Sequence, residues 1–236
     1  MTMDLSMQNE FETWVETGQP PLEEQPILGI AALMTTAAFV DPVAQVPIFD
    51  AIAAATLASN DSAQRAAEIT EALPWVKTGK PRIALPRPLW DGFWNIVQAP
   101  PLLTDGELDL TLQVVALGDL YDDRMLDCCE EALLEFDGVH DLIAQPEVRL
   151  TTADLEKYPT DTLATELLTM LNSNGYDIEV IDADNVVLPG DYPAQNRTNR
   201  RILQLHDIWH LVGGYGFTGP GEVAISGFQM AQFGQN

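Results

Sequence analysis

Two histidines one helical turn apart are the residues here best placed to do chemistry. In RRILQLHDIWHLVGGYGFTGPGEVAISGFQMAQ, His206 and His210 stand at i and i+4, so both rings leave one face of a helix. That spacing lets two imidazoles reach one cation. Asp207 projects about 100° round the helix from His206 and about 60° from His210 on the other side. It can ligate, or it can orient an imidazole from outside the ligand set. After eleven intervening residues, past Gly213-Gly214 and the run Gly216 to Gly221, comes Glu222. The glycines allow a tight reversal, and Pro220 suits the first position of a new helix. A helical hairpin would then return Glu222 toward the histidines. Two imidazoles with one or two carboxylates form a mixed nitrogen and oxygen set. It suits zinc, iron, manganese or cobalt better than magnesium.

The competing reading is a polar helix face followed by a glutamate that merely favours a helix dipole. Against it, the chain has three histidines and spends two of them on this pair. The third serves as a control. His140-Asp141 repeats the dipeptide, but Ala144 stands where a second histidine is needed, so that pair reads as structural. A zincin carries Glu after its first His as general base; Asp207 is one methylene shorter, which argues against peptidase chemistry. On the same helical stripe as the histidines lie Asn199, Ile202 and Gly213, and Gly213 leaves space beside the site. Gln229 follows Glu222 by seven residues and so points the same way. Asn199 and Gln229 are candidates for contacts just outside the ligands or for substrate. Arg201 points nearly opposite to His206, outside the ligand set.

The elements that must position these residues are helices. Residues 5–17 read as an amphipathic helix ended by GQPPLEEQP. Residues 27–39 and 43–58 are Ala-rich and nearly uncharged, with Asp41-Pro42 between them; they read as core helices in preference to helices lying on a bilayer. Residues 61–73 form another helix, starting on Asp or Ser. From Pro74 to Pro101 the texture is rich in Pro and Trp, a connection with one short helix near 89–97. Residues 105–136 are helical with a break at Gly118, and DGVH and AQPEV close that region as turns. TTADLEK at 151–157 opens with a helix-start signal. Residues 162–173 form an amphipathic helix capped by Asn174-Gly175. Residues 177–192 read as an acidic connection with a short strand or bridge. The metal hairpin follows as helices at about 195–212 and from Pro220 onward. The fold class is all-α, with an N-terminal helical region over 1–100 and a metal-bearing domain over 101–236 packed as one unit.

Net charge is -25 over 236 residues, with 46% hydrophobic and 20% charged residues. That is a globular composition. It offers no electrostatic field for DNA or RNA, so nucleic acid is excluded as a partner. Seven of the eleven Lys and Arg residues fall in two short patches, 77–87 and 197–201, which read as solvated loops or as contacts to an anion. The acidic start resembles neither a secretory signal nor a mitochondrial transit peptide. The longest apolar stretch, Pro26 to Val40, is too short to span a bilayer. A cytoplasmic protein is expected. The adjacent Cys128 and Cys129 point about 100° apart on a helix and read as reduced thiols. GFQMAQFGQN ends inside a helical pattern, which suggests a chain cut short.

His206-Asp207-Ile208-Trp209-His210, then eleven residues, then Glu222, resembles the hallmark of the ubiquinone (coenzyme Q) biosynthesis protein four family. Gly221, Phe228 and Gln232 fit the same pattern, and Arg201 matches a basic position before the motif. Upstream, Tyr158-Pro159-Thr160-Asp161-Thr162-Leu163 resembles the family's Leu-Pro-x-Gly-Thr-Leu segment, with Asp161 in place of the Gly. A second Arg usual before the motif is Leu203 here. The resemblance covers roughly 150–236. It implies an all-α protein at a membrane surface, here the inner face of the cytoplasmic membrane, that binds a divalent metal and a prenylated lipid. It allows a homodimer. Two roles go with it: oxidative decarboxylation and hydroxylation of a polyprenyl benzoate ring, with His206, Asp207, His210 and Glu222 as the catalytic metal site, or a non-catalytic scaffold that gathers other ubiquinone-biosynthesis proteins around a lipid. A tail groove lined by residues such as Leu163, Leu167, Trp209, Val223 and Phe228 is expected under both.

Overall fold

In the computed structural model the described residues are 3–78, 84–98, 113–114, 116–146, 150–175, 178, 187–188, 190–216 and 218–233. Among them the secondary structure is helical, with no strand. In chain order come α1 (Leu5–Thr17), α2 (Pro26–Phe39), a 3-10 turn (Pro42–Ala44), α3 (Gln45–Ala58), α4 (Ser62–Ala72), the single turn α5 (Trp75–Thr78) and α6 (Arg87–Gln98). A second 3-10 turn (Gly118–Leu120) precedes α7 (Asp123–Leu134), α8 (Asp137–Ala144), α9 (Thr152–Leu155), α10 (Leu163–Asn174), α11 (Pro193–Gly213) and α12 (Gly219–Phe233). The chain divides into two compact units, Met1–Ala132 and Leu133–Asn236. The division falls in the last turn of α7, well after the change of texture near residue 100.

Local chemistry explains most boundaries. Asp4 and Asp61 cap α1 and α4 by accepting from the N–H groups of Met7 and Gln64, both at 2.9 Å. Thr151 and Asp154 form a reciprocal capping box at α9. Gly175 ends α10 with φ of 73°, as the Asn-Gly pair suggested. One element departs from the sequence reading. DGVH, read as a turn, begins α8. Asp137 occupies its first turn and Val139 is buried against Leu133 and Ala194. The Asp-Gly signal was outweighed by apolar burial that only the folded chain reveals. The strand or bridge expected within 177–192 and the start of the 105–136 helix lie outside the described residues.

In the first unit the Ala-rich helices bury one face each. Leu33, Ala37, Ile48, Ala51, Ala55, Ile69 and Leu73 form one core cluster. A second joins Phe11, Val15 and Ala32 to Trp90 and Trp94. Two carboxylates tie α1 to α6 beside it. Glu12 accepts from Nε1 of Trp94 at 2.7 Å and from both Nη atoms of Arg87 at 3.0 Å. Glu16, 6% exposed, accepts from Nε1 of Trp90 at 3.2 Å and from the Leu85 N–H at 3.0 Å. Arg87, in the first basic patch, is thus engaged by Glu12 and Asp91 instead of lying open to an anion. Among the described residues no helix is long and apolar enough to cross a membrane.

These contacts make two expectations measurable. Glu16→Ala leaves one buried and one partly buried donor without their acceptor and lowers stability by about 2 kcal/mol, read from the urea midpoint. Burial pushes the Cys129 thiol up to about 12, whereas Cys128 is half-exposed on the next helical face. Iodoacetamide at pH 8 is therefore expected to label Cys128 in the folded protein and to reach Cys129 only after unfolding, as peptide mass spectrometry would show.

Candidate metal centre

The second unit is built around α11, a helix of 21 residues. Pro193 starts it and Gly214, at φ of 71°, stops it. The stop does more than end the helix. The Gly214 and Tyr215 N–H groups both turn back onto the His210 carbonyl, the latter at 3.0 Å. The same turn delivers the Tyr215 carbonyl to Nδ1 of the His210 ring, at 3.1 Å. A Cβ on Gly213 would strike the Tyr215 ring, so a larger residue here would push that ring aside. Farther on, a Cβ on Gly221 would collide with the Gly216 carbonyl oxygen, so the two strands of the turn pass backbone to backbone. Thr218 then opens α12. Its carbonyl accepts from the Glu222 N–H at 2.9 Å, and its hydroxyl accepts from the Gly221 N–H at 3.3 Å.

The hairpin brings Glu222 back to both histidines. Its Oε2 lies 3.1 Å from Nε2 of His206, and its Oε1 lies 3.1 Å from Nε2 of His210. The two rings meet edge to face with centroids 4.8 Å apart. One ligand atom from each of His206, His210 and Glu222 falls within 4.8 Å of the others. The His210 side chain is fully buried, while His206 and Glu222 are 29% and 37% exposed. The cluster is therefore closed on one side and reaches solvent on the other.

Proton bookkeeping decides what this arrangement is for. A carbonyl oxygen can only accept, so Nδ1 of His210 carries the hydrogen it gives Tyr215. In the neutral ring Nε2 then holds a lone pair, and that lone pair faces a carboxylate oxygen. Two acceptors at 3.1 Å repel unless positive charge sits between or on them, either a second ring proton or a cation. His206 differs. Burial, and next the neighbouring His210, pull it down to about 4. It is neutral at pH 7, as a metal ligand must be. A backbone carbonyl on the far nitrogen of a histidine is also the common arrangement around bound metal, because it fixes the tautomer and the ring plane. The set His206, His210 and Glu222 could thus hold a metal ion through two imidazole nitrogens and a carboxylate.

The other expected residues divide. Asp207 is not one of the three converging groups. It is half-buried beside them, and burial raises its carboxyl above the usual range while His210 opposes the shift. Asn199 is half-buried two turns before His206, and Gln229 is 6% exposed two turns after Glu222. Arg201 lines a separate cleft with Trp209 and Gln232. The expected tail residues differ in burial. Leu167 is core, packed with Leu155 and Leu171, while Leu163 and Val223 are 50% and 68% exposed. Trp209 and Phe228 meet edge to face at 5.7 Å. The residue missed from sequence is Tyr215. Its contribution is a main-chain carbonyl, and its only signal was the Gly213-Gly214 stop before it.

No family model matches the chain, nor does any curated protein or solved structure.

The geometry makes a graded prediction for metal content. Purified protein dialysed against one equivalent of zinc should hold one ion per chain. His210→Ala and Glu222→Ala should weaken binding by at least about a hundredfold, and Asp207→Asn by no more than about tenfold. Equal retention by all four proteins, measured by elemental analysis after dialysis, would remove the site.

Proposed function

We propose that this chain is a metal-dependent protein of ubiquinone biosynthesis that acts on a polyprenylated benzoate ring. The observation that carries the reading is the hairpin itself: the spacing His-Asp-x-x-His, eleven residues, Glu closes into three converging ligands. A second feature supports it. Asp161 is the one non-glycine residue with positive φ among those described, at 67°. It stands where the related segment carries Gly, in a conformation that glycine adopts most easily and aspartate tolerates.

An enzyme is favoured over a scaffold by the ligand count and by exposure. Structural sites are closed by four protein ligands, whereas catalytic ones keep a position open. Here three groups converge, and the His206 and Glu222 side reaches solvent. A bound metal would supply Lewis acidity to a substrate carboxylate and a place for oxygen or water. The protein's own part is clear in outline. His210 is locked by Tyr215, His206 stays neutral, and Glu222 offsets the ion's charge from the helix terminus. In the reaction proposed, the bond from ring carbon one to its carboxylate breaks and carbon dioxide leaves. One atom of dioxygen enters the ring, the other becomes water, and an external donor supplies two electrons.

The scaffold role remains the competing reading, in which the metal only fixes the hairpin. Ubiquinone intermediates profiled in cells depending on this chain separate the two. With His210→Ala present as folded, metal-free protein, the prenylated benzoate should accumulate and ring-hydroxylated products should fall at least about tenfold. Unchanged intermediates in that variant would overturn the enzymatic reading.

A further inference from the structure

A second feature of the same unit has nothing to do with the metal. Arg197, Arg201, Leu205 and Trp209 follow one another at four-residue steps along α11. This stripe is rotated about 100° from the one that carries His206 and His210. Its two arginines have different fates. Arg197 reaches the end of α8, where Nε donates to the Leu142 carbonyl at 3.0 Å and Nη2 to the Gln145 carbonyl at 2.8 Å. It closes the carbonyl end of α8 and fixes that helix against α11. Arg201, one turn later, is half-buried and makes no hydrogen bond or ion pair with the described residues. It projects at a cleft of about 390 Å³ whose walls are Phe136, Val139 and Leu142 on one side and Leu205 and Trp209 on the other. The volume lies within the ordinary range of small-molecule sites, as does the mix of apolar walls with one polar group.

We propose that this cleft binds a small amphiphile with a single anionic group, the apolar body against Leu142, Leu205 and Trp209 and the anion on Arg201. A half-buried arginine without a carboxylate partner among the described residues is unexpected in a chain that has 36 acidic residues to offer it. Its planar fork matches a carboxylate or a phosphate oxygen pair. The charge balance sets the valence. Asp137 borders the cleft at the exposed start of α8, so one arginine stands against one aspartate. That pair has no net charge, so the guanidinium can take one anionic group, while Asp137 and the acidic chain repel a polyphosphate. The chain's net charge of -25 argues in the same direction. A concave wall with one anchor fits a compact ligand better than an acidic peptide. The inference needs no ion, so it stands or falls apart from the metal.

Trp209 provides the readout, since of the five tryptophans it is the one in the second unit. The wild-type protein in EDTA is titrated with a bromine-bearing ten-carbon carboxylate, its alkyl phosphate monoester and the matching alcohol, all below their micelle concentrations. Saturable quenching of fluorescence by the two anions, at least about tenfold tighter than by the alcohol, supports the proposal; the ratio between carboxylate and phosphate identifies the head group. Quenching must vanish in Trp209→Phe. Arg201→Gln should erase the preference for the anion, and Arg201→Lys should keep most of it. Equal affinity for acid and alcohol in the wild type, or quenching that survives Trp209→Phe, overturns the proposal even if Arg201→Gln does not fold.

Discussion

The hydrogen bond from Nδ1 of His210 to the carbonyl of Tyr215 is the constraint on which the site depends. It fixes which nitrogen carries the proton, and so leaves the other with a lone pair aimed at Glu222. Without it, the pair could be an ordinary donor and acceptor and would imply no cation. With it, Nε2 and Oε1 can stand 3.1 Å apart only with positive charge between or on them. The bond in turn depends on backbone. Gly214 in its left-handed conformation returns the chain, and the His210 carbonyl holds the turn by accepting from it. Ring and main chain of one residue are therefore clasped by the same loop.

The loop has its own requirements. Gly213 makes room for the Tyr215 ring, and Gly221 passes against the Gly216 carbonyl. These glycines position chemistry without taking part in it. Thr218 then fixes where α12 starts, which places Glu222 in the first turn, where the helix dipole favours a carboxylate. The first unit solves a different problem with the same residue type. Glu12 and Glu16 join α1 to the tryptophans of α6, so acidic residues in a strongly acidic chain serve as internal acceptors as well as surface charge.

Helix positions were readable where local chemistry sets them. Asp61, Thr151 and the Asn174-Gly175 pair act as caps in the structure as their types suggest, and the two histidines lie on one face because four residues make about one turn. What was not readable depended on distant or main-chain contacts. α8 was hidden because DGVH has a turn signature, while one apolar partner of Val139, Ala194, lies far along the chain. The separation of Asp207 from the ligands was open from angles alone, since its position beside both histidines allows either role. Tyr215 was invisible because any residue has a carbonyl. Exposure of the expected tail residues was not readable either, because apolar residues on neighbouring helices look alike in sequence, whether core, like Leu167, or surface, like Val223.

The central claim is that a cation belongs between the His210 lone pair and Glu222. Nitrogen-15 NMR of the histidine side chains, recorded at pH 7 with and without one equivalent of zinc, tests it most directly. A His210 ring with Nδ1 protonated and Nε2 bare, whose Nε2 resonance moves into the metal-bound range as zinc is added, is the predicted result. A His210 ring protonated on both nitrogens and unchanged by zinc would contradict the account, because the second proton alone would then hold the pair together.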